Sequence, residues 1–207
     1  MQAKLVTITE NAEETIAYCA RVSNPLNQNN NNISKLLKYC IKNNHWSIFE
    51  MGNMVIEVKG PRDILRQILR HRSFTFQEFS QRYAAVETEP FIREARSQDE
   101  KNRQNSNILP KDDERNDWFI QAQHNIYNQS NRLYKEALEK GIAKEQARCL
   151  LPEGTTMSTM YINGTIRSWI HYIQLRKGNG TQKEHQEIVE QIYKIFEKAC
   201  PTIASCI

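Results

Sequence analysis

Residues 53 to 69 switch from one hydrophobic period to another, and that switch limits the chain to folds that mix strand and helix. In NMVIEVK the apolar side chains Met54, Ile56 and Val58 recur at every second position, the spacing of a half-buried strand. Gly60-Pro61 breaks the pattern, with proline where a first helical turn tolerates it. PRDILRQILRHR then gathers Ile64, Leu65, Ile68 and Leu69 on one helical stripe. The same spacing puts Gln67, Arg70 and His71 together on another face of the predicted helix.

The remaining segments repeat this mixture. AKLVTITE alternates as a strand, and NAEETIAYCARV carries Ile16, Cys19 and Ala20 at helical spacing behind Asn11, a predicted cap. NPLNQNNNN reads as a polar loop, and ISKLLKYCIKNN as a helix through Leu36, Leu37, Cys40 and Ile41. Residues 87 to 111 are charged and polar without a period, the mark of a functional or flexible excursion. A helix is expected from Asp112 to Glu139, marked by Trp118, Phe119, Ala122, Ile126, Leu133 and Leu138 and ended by Gly141, with a shorter one in KEQARCLL. STMYING reads as a strand. TIRSWIHYIQLR is helical, with Trp169, Ile170 and Ile173 inward and Arg167 and His171 sharing another face. KGNGT interrupts, and a final helix runs through Ile188, Ile192, Ile195 and Phe196. Separated strands among helices indicate an α/β or α+β fold rather than a bundle, in one domain over residues 1–207.

Composition excludes several classes. No apolar run approaches the roughly 18 to 20 residues that span a bilayer, and the N-terminal stretch lacks the pattern of a secretory signal. Five dispersed cysteines without CxxC spacing suit reduced thiols, so we expect a cytoplasmic protein. The formal net charge of +4 is small for a chain that tracks a nucleic-acid backbone, and no nucleic-acid partner is expected. HExxH, GxGxxG and GxxxxGK[ST] patterns are absent, so no bound metal is expected, and any nucleotide would be held by side chains.

The charge is concentrated in RHRSFTFQEFSQRY, residues 70 to 83. Arginine offers a planar fork of donors without an acceptor, which suits phosphate. Arg70, Arg72 and Arg82 are therefore candidate anion ligands. Gln67 and Gln77 can read an amide or imide edge, Glu78 can accept, and Ser80 adds a hydroxyl. Taken alone, the basic face would equally suit a nucleotide- or RNA-binding module without turnover, or a protein interface.

Arg70-His71-Arg72, seven residues and Ser80 read as RHRx7S, which resembles the signature of the flavin-dependent thymidylate synthases. AYCARVSNP, NNHWSIFEM, EQARCLLP, GTIRSWIHYIQLR and GTQKEHQEI resemble segments of that family in the right order, from about residue 17 onward. The resemblance implies a thymidylate synthase-complementing protein fold with a small central sheet flanked by helices. It implies methylation of dUMP to dTMP, with 5,10-methylenetetrahydrofolate as carbon donor and FAD, reduced by NADPH, as hydride carrier, without a cysteine nucleophile. It also implies a homotetramer with shared active sites. By position, Gln67, Arg70, Glu78, Ser80, Arg82, Arg148 and Arg176 resemble the dUMP-binding set. Arg176 is similar to the catalytic residue that sits against the uracil imide. His45, Ser47, Arg70, His71, Arg72, Glu78, Thr165, Ile166, Arg167 and His171 resemble the FAD-binding set. Ser80 is expected to bind rather than attack, since no neighbour in the sequence offers it a proton acceptor.

Overall fold

The computed structural model describes residues 1–178 and 180–207; Asn179, inside the KGNGT interruption, lies outside them. The expected mixture of helix and sheet is what the chain forms. Among the described residues, four strands make one sheet in the order β1-β2-β6-β3: β1 Gln2–Ile8, β2 Asn53–Pro61, β3 Thr75–Glu78 and β6 Met157–Thr165. A separate antiparallel pair, β4 Arg96–Gln98 and β5 Ser106–Ile108, matches Arg96 to Ile108 and Gln98 to Ser106. The chain forms two compact units, one of Met1–Val58, Arg70–Gln77 and Tyr161–Ile207, the other of Lys59–Leu69 and Glu78–Met160.

In the first unit the period-2 pattern of β2 delivers what it implies, since Met54, Ile56 and Val58 have no exposed surface. Helices α1 Ala12–Ala20, α2 Ser34–Lys42, α6 Ile166–Lys177 and α7 Lys183–Ala199 supply the rest of this core. Ile16, Leu37, Trp169, Ile170, Ile173, Ile188, Ile192 and Phe196 are all fully buried. Each such side chain is worth about 1.5–3 kcal/mol of transfer free energy. Polar bonds set the register: Trp169 Nε1 donates to the Met54 carbonyl at 3.0 Å, and the Ala3 amide donates to Gln191 Oε1 at 2.9 Å. Asn11 stands at the start of α1, but its backbone is left-handed (φ 46°) and its side chain makes no capping bond. The carbonyl of Asn11 accepts from the Thr15 amide instead. The asparagine-rich loop folds around Arg21, whose buried guanidinium donates to the carbonyls of Gln28, Asn30 and Asn32.

In the second unit, α3 Arg62–Ile68 buries Ile64, Leu65 and Ile68, and β2 runs on through Pro61 rather than stopping at Gly60. Helix α4 Glu114–Glu139 starts on Asp113, whose carboxylate accepts the Arg115 amide, and stops at Gly141, where φ is +79°. It is followed by α5 Lys144–Ala147. The apolar markers of α4 divide: Trp118 is 70% and Ile126 54% exposed, whereas Phe119, Ala122, Leu133 and Leu138 are half-buried beside the buried Tyr127 and Tyr134. Those tyrosines stitch down the polar excursion. The Val86 amide donates to the Tyr134 hydroxyl, the Tyr127 hydroxyl donates to the Thr88 carbonyl, and Gln123 exchanges two bonds with the backbone of Arg93.

One expectation about the motif is corrected. The helix drawn over residues 61 to 72 ends at Ile68, so Gln67 does not share a helical face with Arg70 and His71. Residues Arg70–Gln77 belong to the first unit, where Phe74 is 6% exposed and packs on Trp169 at 4.6 Å and Tyr172 at 5.6 Å. Burying that ring outweighs about one more turn of an exposed helix. Gly164 lies directly under it, and a Cβ there would overlap the Phe74 ring. Gly164→Ala should therefore lose about 1–3 kcal/mol in urea unfolding, with Phe74→Leu in the same chain recovering part of the loss.

Candidate active site

In the first unit the motif forms a turn closed by the Phe74 amide on the His71 carbonyl. Arg70 and Arg72 are exposed, and among the described residues neither guanidinium has a hydrogen-bond or ion-pair partner. His71 between them is half-buried and accepts the Nε–H of Arg176 on its own Nε2 at 2.9 Å. Accepting there requires a neutral ring with its proton on Nδ1. Burial, and secondarily the charge of Arg176, keep it so by pushing His71 down to about 4. Behind it lies a second pair, the Tyr172 hydroxyl 2.9 Å from His185 Nε2. His185 is pushed down to about 3, first by burial and then by Arg176 and His71.

The start of α6 and the segment around Ser47 make a second surface of the same unit. Thr165 caps the helix by accepting the Ser168 amide at 3.2 Å, and Ile166 is fully buried, so its side chain belongs to the core. Arg167 pairs with Glu50, which lies in the single turn Ser47–Glu50. His171 is exposed and stands edge-on to Trp46 with ring centres 4.6 Å apart. Burial, then Arg167, lower its pKa. His45 is exposed and meets Tyr39 edge-on at 5.8 Å rather than sitting packed, and Ser47 is exposed. The structure thus joins Arg167 and His171 to the Ser47 segment through Glu50 and Trp46, two residues that the sequence reading had given no role.

The second unit holds the other predicted side chains. Gln67 lies on α3, half-buried. Glu78 has both oxygens engaged: Oε1 accepts from Arg62 at 3.0 Å and Ser158 at 3.2 Å, and Oε2 accepts from Arg66 at 3.3 Å. Arg62 is almost buried and also pairs with Glu153. Here Glu78 compensates a buried cation, a role its position in the motif did not reveal. The Ser80 carbonyl closes a turn with the amides of Tyr83 and Ala84. Its hydroxyl has no partner among the described residues, and so no base to activate it. Arg82 and Arg148 converge on Glu145, Arg82 by a loose 3.7 Å ion pair and Arg148 by donating Nε–H to the carbonyl at 3.2 Å. A cavity of about 530 Å³ opens beside Arg82 and Glu145. A hollow of about 590 Å³ under Ala85 to Phe91 contains none of the predicted side chains.

Each set presents donors in excess of acceptors, which is the chemistry of an anion site. Comparison with known proteins gives it a family. The model described as thymidylate synthase complementing protein matches residues 4–202. The chain is 54% identical over 216 residues to the probable flavin-dependent thymidylate synthase of Paramecium bursaria Chlorella virus 1, covering 100% of this chain and 99% of that one. It is 53% identical over 195 residues to the flavin-dependent thymidylate synthase of Synechocystis sp., covering 94% and 89%. Among solved structures, the UMP/dUMP methylase PolB from Streptomyces cacaoi bound with 5-Br UMP shares the fold with a TM-score of 0.88 at 24% identity, over 99% of this chain and 92% of that one. The chain belongs to the thymidylate synthase complementing protein family, as its ordered segments implied.

The two neutral histidines carry a pH dependence. Their folded values lie below the ordinary 6.5, so the unfolded chain takes up protons first as pH falls. Their contribution to stability is complete above about pH 6.5 and declines as pH drops toward 4. Thermal melts at pH 7 and pH 5 should show a lower midpoint at pH 5, with a smaller drop in His185→Gln, which removes one of the two titrations.

Proposed function

We propose that the chain is a flavin-dependent thymidylate synthase, a methyltransferase that converts dUMP to dTMP. Its carbon donor is 5,10-methylenetetrahydrofolate, and its hydride carrier is FAD reduced by NADPH. The observation that carries this reading is the pair of guanidiniums, Arg70 and Arg72, unpartnered among the described residues, around a neutral His71 that holds Arg176. The near-complete coverage of relatives bearing that name supports it.

The donor set suits a flavin dinucleotide. Arg70, Arg72 and Arg167 match a diphosphate, Ser47 and His45 add polar contacts, and the Trp46–His171 edge offers an aromatic wall to a flat ring. Of the other residues in the resemblance set, Thr165 and Ile166 contribute the start of α6 rather than their side chains, and Glu78 contributes by fixing Arg62. When bound, the flavin supplies the hydride that completes the methyl group. The chain itself binds and polarises dUMP. By the resemblance, Gln67, Ser80, Arg82 and Arg148 of the second unit and Arg70 of the first belong to the dUMP-binding set, the arginines suiting its phosphate and the polar side chains its hydrogen-bonding groups. Arg176 commits its Nε to His71, which leaves its two terminal nitrogens for the uracil imide in this reading. A permanent cation there favours the ionised ring and raises electron density at the carbon to be methylated.

No cysteine is given a covalent role. Cys40 and Cys200 are buried with thiols pushed up, Cys200 to about 12, chiefly by burial. Cys149 is the exposed thiol, next to Arg148. The protein acts as one domain over residues 1–207 and as a cytoplasmic homotetramer, which would cover the apolar Trp118 and Ile126 on α4. Among the described residues, no helix is long and apolar enough to cross a membrane, and no group of three or more His, Cys, Asp or Glu could hold a metal.

Purified protein should be yellow, with a visible spectrum that changes on adding dUMP; a chain that cannot be loaded with FAD overturns the reading. Arg176→Ala should keep its flavin and lose dTMP formation by about 10²–10³-fold in a product assay. Cys149→Ser should form dTMP within about twofold of the parent, whereas a cysteine nucleophile would lose about 10³-fold or more.

A further inference from the structure

Behind Arg176 and His71 stand two side chains, Tyr172 and His185, that belong to neither the nucleotide set nor the flavin set. Tyr172 stands one helical turn before Arg176 on α6 and is 2% exposed. Its ring meets the His71 ring edge-on, with centres 4.8 Å apart and planes at 85°. Its hydroxyl bonds to Nε2 of His185, a fully buried residue in the first turn of α7. The order is therefore Arg176, His71, Tyr172, His185, passing from the half-exposed surface into the core.

Among the described residues, the guanidinium at the outer end is fixed by one hydrogen bond, from Nε to His71. A rotation of the imidazole therefore swings the plane of both terminal nitrogens. The imidazole is itself held by ring edges, those of Tyr172 and, at 6.3 Å, Phe74. Edge contacts fix a ring's position only as firmly as the neighbouring ring is fixed. Tyr172 is restrained by packing on Phe74 and Trp169, and the directional part of its restraint is the hydroxyl bond to His185. A phenol and an imidazole buried together cost more to desolvate than the apolar pair that would fill the same volume. Their directional bond is what an apolar pair lacks.

We infer that Tyr172 and His185 are positioning residues, which hold His71 and through it the Arg176 guanidinium in the plane that receives the uracil imide of dUMP. The inference rests on the reading of Arg176 given above. Burial raises the pKa of Tyr172, so the phenol keeps its proton at working pH, and His185 is neutral there. Their bond is thus between uncharged groups, and it survives the arrival of the nucleotide's charge.

Tyr172→Phe keeps the ring and removes only the hydroxyl; His185→Ala removes the partner; His185→Gln restores an amide that can pair with the phenol. Each is prepared as the full chain loaded with flavin, and dUMP affinity is measured by calorimetry beside the KM and kcat for dUMP. Tyr172→Phe and His185→Ala should each weaken dUMP binding by about five- to tenfold, and the double variant should be no weaker than either alone. His185→Gln should return to within about threefold of the parent, and all should keep their flavin. Nitrogen-15 spectra of labelled histidines read the tautomer of His71 directly: the Nε2 signal should be that of an unprotonated nitrogen in the parent and shift or broaden in both single variants. Parent-like affinity and an unmoved His71 signal in Tyr172→Phe and His185→Ala would overturn the inference, as would a His71 shift without any change in dUMP affinity. Loss of flavin and dUMP together, in proportion to unfolded protein, would assign the pair to stability alone and overturn it as well. If the parent does not bind dUMP, or Arg176→Ala binds it as tightly as the parent, it is the reading of Arg176 that fails, while the His71 signal still reports on the positioning.

Discussion

Phe74 lies between Trp169 and Tyr172, and the place of the arginine-rich turn follows from that contact. The turn has no regular secondary structure of its own. Its neighbours Arg70 and Arg72 are exposed cations that no apolar surface would retain. One buried aromatic fixes the segment to α6. It brings His71 against Tyr172 and within bonding distance of Arg176, two neighbours on α6 that lie 105 or fewer positions further along the sequence. The tight fit at Gly164 and the hydroxyl of Ser168, which donates to the Ser73 carbonyl, belong to the same anchorage.

Cations are handled in two ways. Where a guanidinium is buried, the chain surrounds it with acceptors: Arg62 has Glu78 and Glu153, and Arg93 has Asp63 at 2.7 Å. Where a guanidinium reaches the surface of the motif, acceptors are withheld, and Arg70 and Arg72 stand alone among the described residues. Leaving two like charges on one turn is unfavourable without a counter-charge. Under the proposed function, that counter-charge is the anion of the bound cofactor or nucleotide. Glu78 sits on the boundary between the two treatments. Its sequence position assigns it to the ligand, while its geometry assigns it to Arg62.

Elements whose side chains obey their own period were legible in the sequence. Met54, Ile56 and Val58, or Ile188, Ile192 and Phe196, are buried as their spacing requires. The end of α3 was not legible, because Leu69 continues the apolar stripe and nothing local stops it. The competing term is the burial of Phe74, a tertiary effect. Helix α4 was legible in its extent but not in its contacts: the stitching there is done by the polar tips of Gln123, Tyr127 and Tyr134, which no apolar spacing announces. Within the site, the arginines announce themselves through RHRx7S. Glu50, Trp46, Tyr172, Glu145 and His185 do not, since each is a common residue type that acquires a role only by meeting a distant segment.

The asparagine-rich loop around Arg21 has a consequence for how such chains diverge. Its three acceptors are main-chain carbonyls, which every residue type carries alike. The guanidinium therefore reads the contour of the loop and is indifferent to its letters. Asparagines can be exchanged one for another residue without stranding the charge, but inserting or deleting a single residue displaces every carbonyl behind it. Among relatives, the length of this segment should be held far more tightly than its composition, and a low-complexity run becomes a measured spacer.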